Sequence, residues 1–201
     1  MIYTGPIRGE FPSLKLGRMV RYSSSIERDL LYFLEYWQIV TWYQEQPKTI
    51  EWVMKDNQVH RYTPDYEIHE GTLRSIAECK PVSHLESSQA VRQREIGQAW
   101  AEAHGYQFIT FTDTELRRGH QLDNLKLFWR YARLRQLQWK QPILEQMGGR
   151  AGGSVKGLCQ QLHILPEEAM PVVCYLLFHQ HLHTDLNLPF SISTPLWLVR
   201  R

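Results

Sequence analysis

Cysteine is scarce in this chain, and its three residues, Cys79, Cys159 and Cys174, show no paired spacing. That argues against a disulfide framework and for a reducing interior. Long apolar runs are missing too. The longest, Met170 to Phe178, is too short to cross a bilayer. The opening Met-Ile-Tyr-Thr-Gly-Pro has no basic segment leading into an apolar one, so no secretory signal is expected and the chain reads as cytoplasmic, without a membrane partner. Net charge is only +2. Glycine clusters at Gly148, Gly149, Gly152 and Gly153, but no Lys-Ser/Thr follows in the P-loop manner, which speaks against a nucleotide site.

Charge is present, however, and unevenly placed. Residues 1–116 carry 12 Lys/Arg against 16 Asp/Glu, and residues 117–201 carry 11 against 5. An acidic front suits a metal site and a basic back suits an anionic partner such as DNA. The 201 residues are enough for a sizeable core, and the expected division is 1–116 and 117–201.

The informative stretch is 59–81. Gly71-Thr72 is a Gly-X pair suited to a two-residue hairpin turn, because glycine accepts positive φ at the first position. Residues whose numbers sum to 143 then lie opposite each other. Asp65 faces Glu78, and Lys80 points to the same side. Like charges so placed repel unless a cation joins them. Two carboxylates and an ammonium could hold Mg²⁺ and steer a water or phosphate. The same residues could also form a solvated face.

Around the hairpin, residues 1–22 read as an extended lead-in broken by Gly5, Pro6, Gly9, Pro12 and Gly17. Ser24 caps a helix with Ile26, Leu30, Leu31, Phe33, Leu34 and Trp37 on one stripe. Glu27 fits a capping box, reaching back to the Ser24 amide, and could instead supply a metal oxygen. Val40 to Tyr43 reads as a short link. Strands at 48–54, 59–69 and 73–80 form a meander, with turn chemistry at Asp56-Asn57. A helix over 84–104 has Leu85, Val91, Ile96, Ala99, Trp100 and Ala103 inward and Arg92, Gln93 and Arg94 outward. The strand at 106–111 follows it, and a right-handed crossover makes that strand parallel to 73–80. The order αβββαβ is the core of the restriction-endonuclease-like fold, an α/β class.

Beyond 116 come a basic helix from Leu122 to Arg135, a short helix at 142–147, a flexible break at 148–153, and helices from Ser154 and Pro166, the latter carrying Pro171. Strands at 182–188 and 195–200 complete a winged-helix-like, mostly α-helical domain. His179, His181 and His183 alternate, yet no acidic or cysteine partner stands beside them, so they read as structural.

Several segments, taken in order, resemble the TnsA family, the endonuclease subunits of heteromeric cut-and-paste transposases. They are Ser25-Ile26-Glu27-Arg28-Asp29-Leu30-Leu31-Tyr32, Glu45-Gln46-Pro47, Arg61-Tyr62-Thr63-Pro64-Asp65-Tyr66, Glu78-Cys79-Lys80-Pro81 and Asn124-Leu125-Lys126-Leu127. They span most of residues 22–135, and the C-terminal region matches by architecture alone. The resemblance implies catalysis by Glu27, Asp65, Glu78 and Lys80, with Mg²⁺ (Mn²⁺ substituting) held by Glu27, Asp65, Glu78 and the Cys79 carbonyl. Some family members have Gln where this chain has Glu78. It further implies nicking of 5′ strands at transposon ends, beside a TnsB-type transposase and a TnsC-type AAA+ ATPase. Two other readings stand next to it: a stand-alone restriction or repair nuclease of the same fold, and a catalytically inactive DNA/protein adaptor.

Overall fold

The computed structural model describes residues 7–53, 57–149 and 152–199. The chain divides into two compact units, Met1–Leu116 and Arg117–Arg201.

The first unit opens with β1 (Gly9–Pro12) and β2 (Met19–Tyr22), an antiparallel hairpin where an extended lead-in was expected. Pro12 sits at the strand end, where a missing N–H costs no ladder bond. The α1 helix (Ser25–Tyr36) is capped by Ser24, whose hydroxyl accepts the Glu27 amide at 3.1 Å. Its stripe of Ile26, Leu30, Leu31, Phe33 and Leu34 is buried as the spacing predicts. Two groups tie the first hairpin to the far end of this helix. Buried Glu35 accepts the Ser13 and Tyr43 hydroxyls and the Leu14 amide. Lys15 Nζ donates to the carbonyls of Leu34, Trp37 and Val40, at and just beyond the helix end.

Next come β3 (Val40–Glu45), β4 (Ile50–Val53), β5 (Val59–Tyr62), β6 (Tyr66–Glu70) and β7 (Leu73–Lys80). The meander therefore differs from expectation. Residues 40–45 are a sheet strand and not a link, and they pair with β6. A register shift between Val40 and Trp42 breaks the period-two alternation that would have revealed the strand. Residues 59–69 are two strands, not one. Thr63-Pro64 interrupts them, since proline donates no ladder bond and holds the preceding residue extended. The upstream piece β5 pairs with β4 in a separate two-stranded ribbon. The expected turn at Asp56 lies outside the described residues, and neighbouring Asn57 has φ 58°.

The β6–β7 hairpin has the expected register: Tyr66 opposes Ala77, and Glu70 opposes Leu73. Gly71 takes φ 61° at the turn. After a single 3₁₀ turn at Val82–His84, α2 (Ser88–His104) crosses to β8 (Gln107–Thr112), which runs parallel to β7. The sheet order is β3-β6-β7-β8. The α2 helix starts four residues later than expected. It buries Ala90, Ile96, Gly97 and Ala101, while Ala103 is exposed and Leu85 lies before the helix. A four-residue α3 (Asp113–Leu116) ends the unit.

The second unit holds α4 (Gln121–Tyr131), α5 (Lys140–Gly148), α6 (Val155–Leu162) and α7 (Pro166–Phe178), then β9 (Leu182–His183) and β10 (Trp197–Leu198). The two strands pair antiparallel and are far shorter than 182–188 and 195–200. Ser154 caps α6 as expected, accepting the Gly157 amide at 3.1 Å. The α7 helix continues through Pro171. Residues 150–151 of the expected flexible break lie outside the described residues. Gly148 belongs to α5, and Gly153 bridges to Leu196. Buried Asn124 donates to the Leu186 and Leu188 carbonyls at 2.9 and 2.8 Å and accepts the Phe190 amide at 3.0 Å. This staples α4 to the loop after β9. Among the alternating histidines, His179 bonds the Ala132 carbonyl and His183 stacks on Trp197, which are structural roles.

Candidate active site

The site forms where Pro64 diverts the chain from the β4–β5 ribbon into the four-stranded sheet. Asp65 sits one residue before β6. Its amide donates to the Ala77 carbonyl at 3.0 Å, and its carbonyl accepts the Gln46 amide at 2.8 Å. Its carboxylate Oδ2 accepts the Cys79 amide at 2.7 Å. The side chain is thus aimed at the end of β7 by backbone on both sides.

On β7, Glu78 is 4% exposed and engaged at both oxygens. Lys80 Nζ lies 2.6 Å from Oε1, and the Tyr62 hydroxyl donates to Oε2. Residues 78 and 80 share a face because strand side chains alternate. The Cys79 side chain points the other way and is buried. Its backbone amide is the one that bonds Asp65.

Glu27, 7% exposed, is a cap of a different kind from the one expected. Its carboxylate does not reach the Ser24 amide. It accepts the Ser23 amide at 2.8 Å and the Ser23 hydroxyl at 3.0 Å. Glu27, Ser23, Arg8, Arg21 and Gln46 line an open cavity of about 590 Å³. Gln46 has φ 40°, an uncommon conformation for a residue with a side chain.

Asp65 feels both of the other acids. The Asp65 carboxyl is pushed up to about 7, first by burial, then by the Glu78 charge. The Cys79 amide pulls it down, Glu27 raises it further, and Lys80 lowers it. The Cys79 thiol is raised by burial and then by Asp65, Glu27 and Glu78. Asp65 and Glu78 bring two buried carboxyl groups to one ammonium, and keeping both ionised there is costly without a further cation.

Among the described residues, no three acidic, histidine or cysteine side chains are placed to hold a metal ion together. Ser23 holds Glu27, while Lys80 and Tyr62 hold Glu78. The donor chemistry nonetheless fits a hard divalent cation, being carboxylate oxygens under uncompensated negative charge. Asp65, Glu78 and Glu27 are the residues that would hold it.

Sequence reasoning named Asp65, Glu78 and Lys80, and the structure brings these together. It did not name Tyr62 as a partner of Glu78, or Ser23 as the holder of Glu27. Tyr62 stood in the segment Arg61-Tyr62-Thr63-Pro64-Asp65, but a strand break at Pro64 was needed to turn it towards Glu78.

No family model and no curated protein matches the chain. The site must be read from its own chemistry.

Proposed function

We propose that this chain is a Mg²⁺-dependent DNA endonuclease that nicks 5′ strands at transposon ends, as a subunit of a heteromeric cut-and-paste transposase. The observation that carries the reading is the convergence of Asp65 and the ion-paired Glu78 and Lys80 at one end of a mixed sheet, within the field of Glu27. The succession α1, β3, β6, β7, α2, β8, with the β4–β5 ribbon inserted, supports a restriction-endonuclease-like assignment for Met1–Leu116. The last three helices and the β9–β10 pair support a winged-helix-like assignment for Arg117–Arg201, which in this reading contacts DNA or partner proteins. A TnsB-type transposase and a TnsC-type AAA+ ATPase are the partners. Free thiols at Cys79, Cys159 and Cys174 support a cytoplasmic setting. No helix among the described residues is long and apolar enough to cross a membrane.

A divalent ion held by Asp65, Glu78 and Glu27 would supply Lewis acidity towards the scissile phosphate. Asp65 and Glu78 anchor the site, Glu27 completes it from α1, and the Cys79 amide fixes the rotamer of Asp65. Lys80, paired with Glu78, would orient the attacking water and offset charge as it builds on the phosphoryl oxygens.

The test uses supercoiled plasmid bearing transposon ends, with Mg²⁺ and the partner transposase. Nicking is expected at the ends, and Lys80→Ala should reduce it by at least about 10²-fold. Efficient cutting of plasmid without ends by this chain alone would instead favour a stand-alone nuclease. Full activity in Lys80→Ala contradicts the assigned role.

A further inference from the structure

Tyr62 reaches the site from outside the sheet that carries it. It belongs to β5, in the two-stranded ribbon, whereas Glu78 belongs to β7. Its ring is 3% exposed and packs with Ile50, Ile76, Ile96 and Ala101. The α2 helix passes so close that a Cβ on Gly97 would lie 3.2 Å from Tyr62 Cε1 and collide with Phe108. The ring is therefore held on all sides by packing, and the one polar atom it carries is directed at Glu78 Oε2. With Lys80 on Oε1, the Glu78 carboxylate is fixed at both oxygens.

We infer that Tyr62 is a positioning residue: its immobilised hydroxyl sets the orientation in which Glu78 meets a divalent cation. The inference rests on the metal-dependent reading above. A carboxylate ligand gains affinity when a neighbouring donor fixes its plane, because less freedom is lost on coordination. Loss of such a partner lowers metal affinity about 10–100-fold. A donor held by core packing is a better orienter than one on a loop, since its own rotamer is already locked.

The experiment compares unmodified chain, Tyr62→Phe and Asp65→Ala. Mn²⁺ binding is measured by calorimetry, nicking is measured across a range of metal concentrations, and thermal midpoints check the fold. In Tyr62→Phe the Kd for Mn²⁺ should rise roughly tenfold or more. Nicking should fall at low metal and recover as metal is raised. Asp65→Ala should not recover. A merely structural hydroxyl predicts otherwise: Mn²⁺ affinity within about twofold of the unmodified chain, or a loss of nicking that metal does not relieve, and either result overturns the inference. Should Asp65→Ala bind Mn²⁺ as the unmodified chain does, the metal reading itself falls and takes the inference with it. If Tyr62→Phe does not fold, the unmodified chain with a ¹³C-labelled Tyr62 ring decides. Its resonance should shift with the same saturation curve as metal binding, and an unmoved resonance overturns the proposal.

Discussion

At the residue scale, the chemistry gathers around Asp65. Its folded pKa of about 7 stands above the ordinary value of 3.8. The folded chain therefore keeps a proton that the unfolded chain has lost. Its contribution to stability is fully present below about pH 4 and is lost as pH rises to about 7. Metal-free thermal midpoints should accordingly fall between pH 5 and pH 8, and Asp65→Asn should flatten that slope. Mg²⁺ should raise the midpoint more at pH 8 than at pH 5, because ligation requires the deprotonated carboxylate. A midpoint with the same pH dependence in Asp65→Asn would assign the slope to other groups. Lys80 illustrates why the pair cannot be judged by charge alone. Its ammonium pairs with Glu78, yet burial first, and then the Glu78 and Glu27 charges, still hold the Asp65 carboxyl well up.

At the element scale, the site depends on how closely α2 approaches the β4–β5 ribbon and the sheet. Gly97 permits that approach, because any Cβ there meets Tyr62 and Phe108. Gly97→Ala improves helix propensity but overpacks the contact. The net expectation is a loss of about 1–3 kcal/mol, read by urea denaturation. A neutral or stabilising result would mean that Phe108 can swing aside, and that the Tyr62 ring is less confined than its packing implies. At the other side of the site, α1 presents Glu27 from its first turn while Lys15 and Glu35 clamp its last turn. The helix that offers an acid to the site is thus fixed at both ends.

At the scale of the whole molecule, the two units differ in charge. The second carries 11 Lys/Arg against 5 Asp/Glu, with Arg118 and Arg135 exposed. Where this unit contacts DNA, its cations would bind phosphate. Affinity for duplex DNA should fall with salt, and each of Arg118→Gln and Arg135→Gln should reduce the log–log salt slope by about 1. Filter binding across a salt series checks this. An unchanged slope in both variants would move the DNA contact off this surface.

The sequence by itself determined what is local. The Gly71 turn and the arithmetic it imposes set which residues face each other across β6 and β7, because strand side chains repeat every two residues. Ser24 and Ser154 announced their helices, because a hydroxyl before an apolar stripe satisfies an orphan amide. Asp65, Glu78 and Lys80 were legible for the same reason: two are neighbours on one strand, and the third lies across one tight turn. Tertiary structure decided the rest. The bulge in β3 hid an edge strand of the four-stranded sheet behind irregular periodicity, and Pro12, Gly9 and Gly17 disguised a separate two-stranded hairpin as a lead-in. Pro64 split a continuous β-rich run between two sheets. That last break is what carries the Tyr62 hydroxyl to Glu78, a contact between separate sheets that no periodicity encodes. Packing alone set which oxygens of the three acids are already engaged, because burial of a carboxylate demands a donor from whichever chain segment the fold brings near.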